Sequence, residues 1–394
     1  MKKILALLVP AVIVIFVIFP AAAADYSAII DAGSSGSRIY LYQNCTATDG
    51  SPEAVLLQLN NNKITPGIAS FATTPAMIGS YISPLLHSVR NKLEELGINE
   101  KEVDFYLLAT AGMRVVAPSL QAALYSNLID YLKANTDFKI QDVTTISGKY
   151  EGAFNWIAVN SLRNTLNSDN LEANAGVLDL GGASLEIAFA TNRQNFPQKD
   201  IVKFKYGRKK YILYSQSYLG LGQDMARYQF SNDPACFPRE YPMPDGLTGT
   251  GNYHQALANV KRLIRTHKIS RFTAKLPDMN KFIALSGFVY IITPLELSSF
   301  YSIKDIEKAS LHFSQKTWPQ LLQEFPDDNY LYSYYFNSIL IINLLKALGF
   351  SHSSKMEATN MIGEKDISWT RGAAIFFVAG NRLKSNSLIE AAAA

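Results

Sequence analysis

Residues 28–42 read Ala-Ile-Ile-Asp-Ala-Gly-Ser-Ser-Gly-Ser-Arg-Ile-Tyr-Leu-Tyr. Apolar residues run into Asp31. The small residues Gly33, Ser34, Ser35, Gly36 and Ser37 follow, and Arg38 opens a second apolar run. The pattern predicts strand, tight turn, strand. Glycines at such a tip let backbone N–H groups approach a ligand closely. Clustered N–H and hydroxyl donors suit a phosphate. An Asp at the strand end can hold a divalent cation, usually through water.

A second copy lies about 150 residues on. Residues 176–190 read Gly-Val-Leu-Asp-Leu-Gly-Gly-Ala-Ser-Leu-Glu-Ile-Ala-Phe-Ala. Again an apolar strand ends at an Asp, Asp179. A small turn follows (Gly181, Gly182, Ala183, Ser184), then another apolar strand. A single glycine-serine tip is most often structural. Two tips with equivalent aspartates predict a duplicated lobe that holds a polyanion between them, with Asp31 and Asp179 sharing a metal site. The dinucleotide fingerprint does not fit, because there a helix follows the glycines.

The 394 residues are too many for one ordinary core and suit two lobes. Hydrophobic residues make up 48% and charged residues 18%, a globular balance. The net charge of +4 falls to +2 once Lys2 and Lys3 are set aside, which gives no support to nucleic-acid binding. Those lysines precede an apolar run over residues 4–19, then Pro20 and four alanines. This predicts a cleaved secretion signal over residues 1–24 and a secreted or periplasmic product with no stable membrane anchor. Cys45 and Cys236 are the two cysteines. Sequence does not show them meeting, and pairing is the less favoured expectation.

Along the chain, strands are expected over 55–59, 103–108, 143–146, 201–206, 211–217 and 282–285. Helices are expected over 75–96, 118–134, 153–166 and 330–348, the first kinked or split at Pro84. A last helix beginning near Ile367 is expected to return to the first lobe. Strands and helices alternate after an opening antiparallel set, which predicts α/β layers around a mixed sheet. The stretch 231–251 reads as a surface excursion.

Glu151 follows Ser147-Gly148 at the start of a helix. Its ordinary role there is a charge facing the helix dipole, worth roughly a few tenths of a kcal/mol. The strand end before it should open into the cleft of the two tips. A carboxylate opposite a bound phosphate can take a proton from attacking water. Thr110, at another strand end, offers a hydroxyl to a phosphate oxygen, and Arg114 a positive charge. The five histidines do not cluster, so a zinc site is unsupported. A Gly-x-Ser-x-Gly elbow and a Walker phosphate loop are both absent.

These residues resemble the apyrases, the ecto-nucleoside triphosphate diphosphohydrolases. Counterparts of the five signature regions of that family occur in order. They are Asp31 through Arg38, Ala109-Thr110-Ala111-Gly112-Met113-Arg114, residues 148–157 with Glu151, Asp179 through Ser184, and a weaker Ala284-Leu285-Ser286-Gly287-Phe288. Residues 218–222, 234–238 and 367–369 also resemble the family, so the likeness covers residues 28 to about 378. It implies two ribonuclease-H-like lobes of the actin–hexokinase superfold with the active site in the interlobe cleft. The expected division is 25–147 with a return over 356–390, and 148–355. It also implies hydrolysis of nucleoside tri- and diphosphates with Mg²⁺ or Ca²⁺. Carried over by position, Glu151 is the general base, Ser184 orients the water, and Thr110 contacts the terminal phosphoryl group. The phosphate loops are Gly33, Ser34, Ser35, Gly36, Ser37 and Arg38, and Gly181, Gly182, Ala183 and Ser184. Asp31 and Asp179 hold metal-bound waters. Stacking of a base is expected from Phe288, Tyr290 and Tyr335.

One position departs from that family. Two residues after Ser184 it usually has Gln, and here Glu186 stands there. A second acid would bind metal or couple to Glu151. Glu at this position also resembles the exopolyphosphatases of the same superfold, which gives a second reading. A third is an actin-like module that binds nucleotide without turnover. Glu151 speaks against it, since a binder needs no acid opposite the phosphate.

Overall fold

The computed structural model describes residues 25–60, 63–192, 196–244, 246–267, 269 and 279–383. The expected secretion signal, residues 1–24, lies outside the described residues. Both expected hairpins form. Strand β1 (Tyr26–Gly33) turns through Ser34 and Ser35 into β2 (Gly36–Thr46). In chain order follow β3 (Pro52–Leu57), β4 (Val103–Ala109) and β5 (Lys139–Thr145), then the second hairpin, β6 (Gly176–Leu180) and β7 (Ser184–Ala190). The two large sheets are completed by β8 (Ile201–Tyr206), β9 (Lys209–Leu219), β10 (Phe282–Ser286), β11 (Phe300–Ser302) and β12 (Lys355–Ala358).

The first sheet has the order β3-β2-β1-β4-β5. Its first three strands are antiparallel, and β4 and β5 run parallel to β1. The second sheet has the order β11-β12-β10-β6-β7-β9-β8. Its inner run β9-β7-β6-β10-β12 repeats the first sheet strand for strand, directions included. The duplication read from two short turns therefore extends over both lobes.

Side-chain alternation along a strand decides which residues reach the cleft. In β1, Ala28, Ile30 and Ala32 pack under helices Ile78–Leu96 and Pro118–Asn135. Ile29 faces the opposite way, into a central layer between the sheets, and Asp31 shares its phase. In β6, Leu178 and Leu180 join the outer core of the second lobe, while Val177 packs into the central layer and Asp179 shares its phase. In β7, Ala188 marks the central face on which Ser184 and Glu186 also lie.

The central layer holds two helices. Gly148–Leu162 follows a strand of the first sheet and packs on β6, β7 and β9 of the second. Trp369–Val378 follows the second sheet and packs on β1, β2 and β3 of the first, as expected of the last helix. They also pack on each other at Gly372, where an added Cβ would lie 1.9 Å from the Phe154 carbonyl oxygen.

Several boundaries moved. The helix that carries Glu151 starts at Gly148 and not at 153, because Ser147 in extended backbone already serves as its N-cap. Helix Ile78–Leu96 runs unbroken through Pro84, whose ring is exposed. Helices Tyr253–Thr266, Ile303–Gln315 and Trp318–Glu324 were not anticipated. Cys45 and Cys236 are both free.

Candidate active site

The two tips meet. A Cβ added to Gly182 would lie 3.0 Å from Ser34 Oγ, so the hairpins approach to within a methyl group. Ser34 and Ser35 are exposed there, and Arg38 leaves the first hairpin beside them, exposed as well. Ser37 is buried beneath the tip. Its hydroxyl accepts from Tyr81 at 3.0 Å, and its backbone pairs with Ile64. The second tip is braced from behind. Backbone N–H groups of Gln223 and Asp224 donate to the Gly181 and Gly182 carbonyls at 2.9 and 2.8 Å. The Gly220 N–H donates to Ala183 at 2.8 Å.

Lys63 is a group that sequence reading missed. Its ammonium donates to Ser35 Oγ at 2.6 Å. Burial and then the charge of Arg38 hold the Lys63 pKa below its ordinary value. The pairing of residue 64 with Ser37 places it, and a bridge between distant loops leaves no local sequence signal. Asp224 is a second omission, at 2.8 Å from the same added Cβ on Gly182.

Four carboxyl groups converge behind the tips. Glu151 sits in the first turn of its helix, 9% exposed, and its carboxylate accepts from Arg114 Nη2. Arg114 also donates from Nε to the Ile146 carbonyl at 3.0 Å, and its Nη1 lies 3.7 Å from Glu186. Glu186, 2% exposed, accepts from both Ser184 Oγ and Ser217 Oγ. Burial and then the Glu151 charge raise its pKa well above the usual carboxylate value. Burial, then Glu151, push Asp31 up to about 7, against the opposing charge of Arg38. Burial pushes Asp179 up to about 6, opposed by the polar Ser286 side chain and reinforced by the charge of Glu151. Such clustering of perturbed acids in a cleft marks functional sites.

A divalent cation fits these residues. Asp179 Oδ2 accepts from Asn155 at 2.8 Å, whereas its Oδ1 is buried without a protein partner. A buried acceptor left open invites a water or an ion. Among the described residues no three His, Cys, Asp or Glu side chains form a direct cage. The set therefore suits a cation that keeps its own waters. Ser286, which lines the same cavity as Asp179, holds φ 55°, and its N–H donates to Asn360 Oδ1 at 2.8 Å. A non-glycine residue in that region is strained, and such strain collects at functional sites.

Thr110 is buried at the carboxyl end of β4, its N–H on the Ala32 carbonyl at 3.1 Å. A cavity of about 420 Å³ opens beside the cluster, lined by Asp31, Arg38, Asp179, Ser286, Tyr290 and Trp369 among others. Tyr290 is 51% exposed there. The expectation for Phe288 and Tyr335 is corrected. Both are fully buried in the outer core of the second lobe and present no face to a base. The short helix Gly287–Tyr290 turns Phe288 inward and leaves Tyr290 outside. Tyr335 lies inside Leu331–Leu348, a helix apolar on nearly every side.

Known proteins resemble this chain in sequence and in fold. A nucleoside-triphosphatase of Caenorhabditis elegans is 31% identical over 61% of the chain, which spans 48% of that relative's length. Ectonucleoside triphosphate diphosphohydrolase 1 of Bos taurus is 25% identical over 88% of the chain and 80% of its own length. Among solved structures, that of nucleoside triphosphate hydrolases from Neospora caninum superposes with a TM-score of 0.64. It is 14% identical and covers 90% of this chain and 92% of that one. An exopolyphosphatase from Cytophaga hutchinsonii gives 0.52 at 15% identity, covering 91% of this chain and 100% of that one. These two likenesses show the actin–hexokinase type of fold. Residues 20–235, more than half of the sequence and including both tips, Thr110, Glu151 and Glu186, match the model of one family. The chain belongs to the GDA1/CD39 (nucleoside phosphatase) family.

Proposed function

We propose that this protein hydrolyses nucleoside tri- and diphosphates to the monophosphate and orthophosphate, with Glu151 as the general base. The observation that carries the reading is the approach of Ser34 to Gly182, with a buried carboxylate behind the two tips. Backbone and hydroxyl donors at the tips hold the phosphate chain, and Lys63 and Arg38 add charge at its edge. Ser184 and Glu151 orient water behind the terminal phosphorus. The water oxygen forms a bond to that phosphorus as the bond to the bridging oxygen breaks. The water proton passes to Glu151, and the shortened nucleotide leaves with the bridging oxygen. Positioning and electrostatic stabilisation carry most of such a transfer. A bound Mg²⁺ or Ca²⁺, water-bridged to Asp31 and Asp179, would neutralise phosphate charge. Tyr290 offers a stacking face that tolerates any base, which predicts broad nucleotide use.

Glu186 supports a second reading, exopolyphosphatase activity. The exposed face of Tyr290 beside Asp31 and Asp179 favours nucleotides, since polyphosphate has no base to stack. Phosphate release from ATP, ADP and polyphosphate, with and without EDTA, separates them. Release from ATP and ADP that EDTA abolishes is expected. Polyphosphate cleavage without nucleotide turnover would overturn the proposal.

A further inference from the structure

A second cavity, of about 500 Å³, meets the catalytic cluster from another side. Arg114, Gln121, Tyr125, Thr145, Ser147 and Gly148 are among its lining residues, and none of its residues lines the cavity beside Asp31 and Asp179. Glu151 stands between the two sets. It is bonded to Arg114 of one, and its charge is felt by Asp31 and Asp179 of the other.

The two linings differ in charge. The cavity beside Asp31 and Asp179 carries three carboxylates, Asp31, Asp179 and Asp366, against two guanidiniums, Arg38 and Arg371. The second carries no carboxylate among the described residues, and its charged group is Arg114. Its polar atoms include two buried groups without partners, Arg114 Nη1 and Ser147 Oγ. A Cβ added to Gly148 would lie 3.0 Å from that Nη1 and collide with Ser217, which donates to Glu186. The cavity thus ends on the groups that flank the water site. Its wall is hydrogen-bonded. Gln121 Nε2 donates to the Met113 and Val116 carbonyls at 3.0 and 2.8 Å, and Thr145 donates to Gln121 Oε1 at 2.6 Å. Tyr125 bonds Thr145 in turn.

We infer that this cavity is the exit route of orthophosphate, with Arg114 Nη1 and Ser147 Oγ as its first contacts after cleavage. The inference rests on the hydrolase reading. After hydrolysis the shortened nucleotide still occupies the tips and the mouth beside them. An orthophosphate leaving past it would cross a lining in which carboxylates outnumber guanidiniums three to two, with the like charge of the nucleotide's remaining phosphate beside it. Leaving by the second cavity, it meets one guanidinium and a row of hydroxyls.

The test narrows the route far from the chemistry. Ala122 lines the cavity on the exposed side of its helix, whereas Ala123, also exposed, does not line it. Single-turnover ATP cleavage is followed by acid quench, and free phosphate by a fluorescent phosphate-binding sensor, in wild type, Ala122→Phe and Ala123→Phe. The expected result is unchanged cleavage in all three, with phosphate release slowed roughly ten-fold, one decade in rate constant, in Ala122→Phe alone. Release that keeps pace with wild type in Ala122→Phe, or that slows equally in Ala123→Phe, would overturn the exit route while leaving the hydrolase reading intact. Absence of cleavage in wild type would sink the hydrolase reading, and the route with it.

Discussion

Glu186 and Glu151 share one guanidinium, yet their surroundings differ. Glu186 is enclosed by two serine hydroxyls, and burial favours its protonated form. Replacing it with Gln keeps an acceptor for Ser184 and Ser217 and removes a titrating acid from the cluster. Glu186→Gln is therefore expected to retain turnover and to move the acid limb of the rate profile to lower pH. A pH–rate profile identical to wild type would show that Glu186 does not couple to the chemistry. The tips and both aspartates were legible in sequence because each sits at or beside a strand end marked by small residues, and Glu151 because Ser147-Gly148 mark the start of its helix. Phe288 and Tyr335 were misread because an aromatic residue carries no mark of which way its helix faces. Lys63 was invisible because a cross-loop bridge positions it.

At the scale of elements, the two central helices join the lobes. Each follows one sheet in the chain and covers the other. They pack against each other at Gly372, where the Phe154 carbonyl leaves no room for a methyl group. Gly372→Ala is expected to cost about 1–3 kcal/mol of stability, the usual range for overpacking. Denaturant unfolding measures it, and a midpoint equal to wild type would contradict this packing. The paired hairpins were readable because their two-residue period and turn chemistry are local. Helices Tyr253–Thr266 and Ile303–Gln315 were not, although each has an apolar stripe. Basic residues in the first and charged residues throughout the second obscured that periodicity. The early start of the Glu151 helix was hidden because Gly148 and Lys149 read as turn, and only the extended backbone of Ser147 sets the boundary.

For the molecule as a whole, the cleft stores electrostatic strain. Asp31 and Asp179 have folded-state pKa values of about 7 and about 6 against 3.8 for an ordinary Asp carboxyl. Between about pH 4 and 7 the folded chain holds protons that the unfolded chain has lost, so stability falls as pH rises through that window. In EDTA, Asp31→Asn should raise the melting temperature at pH 8, by roughly 1–2 °C for each kcal/mol relieved, and leave it unchanged at pH 4. An unaltered value at pH 8 would refute the strain. The two-lobe plan was legible in the spacing of two turns, whereas the depth of the cleft follows from how the lobes close on each other. That closure brings Glu151 behind the tips, and the account depends on it. The direct test compares ATP turnover and nucleotide binding in wild type and Glu151→Gln with divalent cation present. Turnover is expected to fall by about 10²–10⁴-fold with binding largely kept, whereas near-normal turnover in Glu151→Gln would contradict a base at that position.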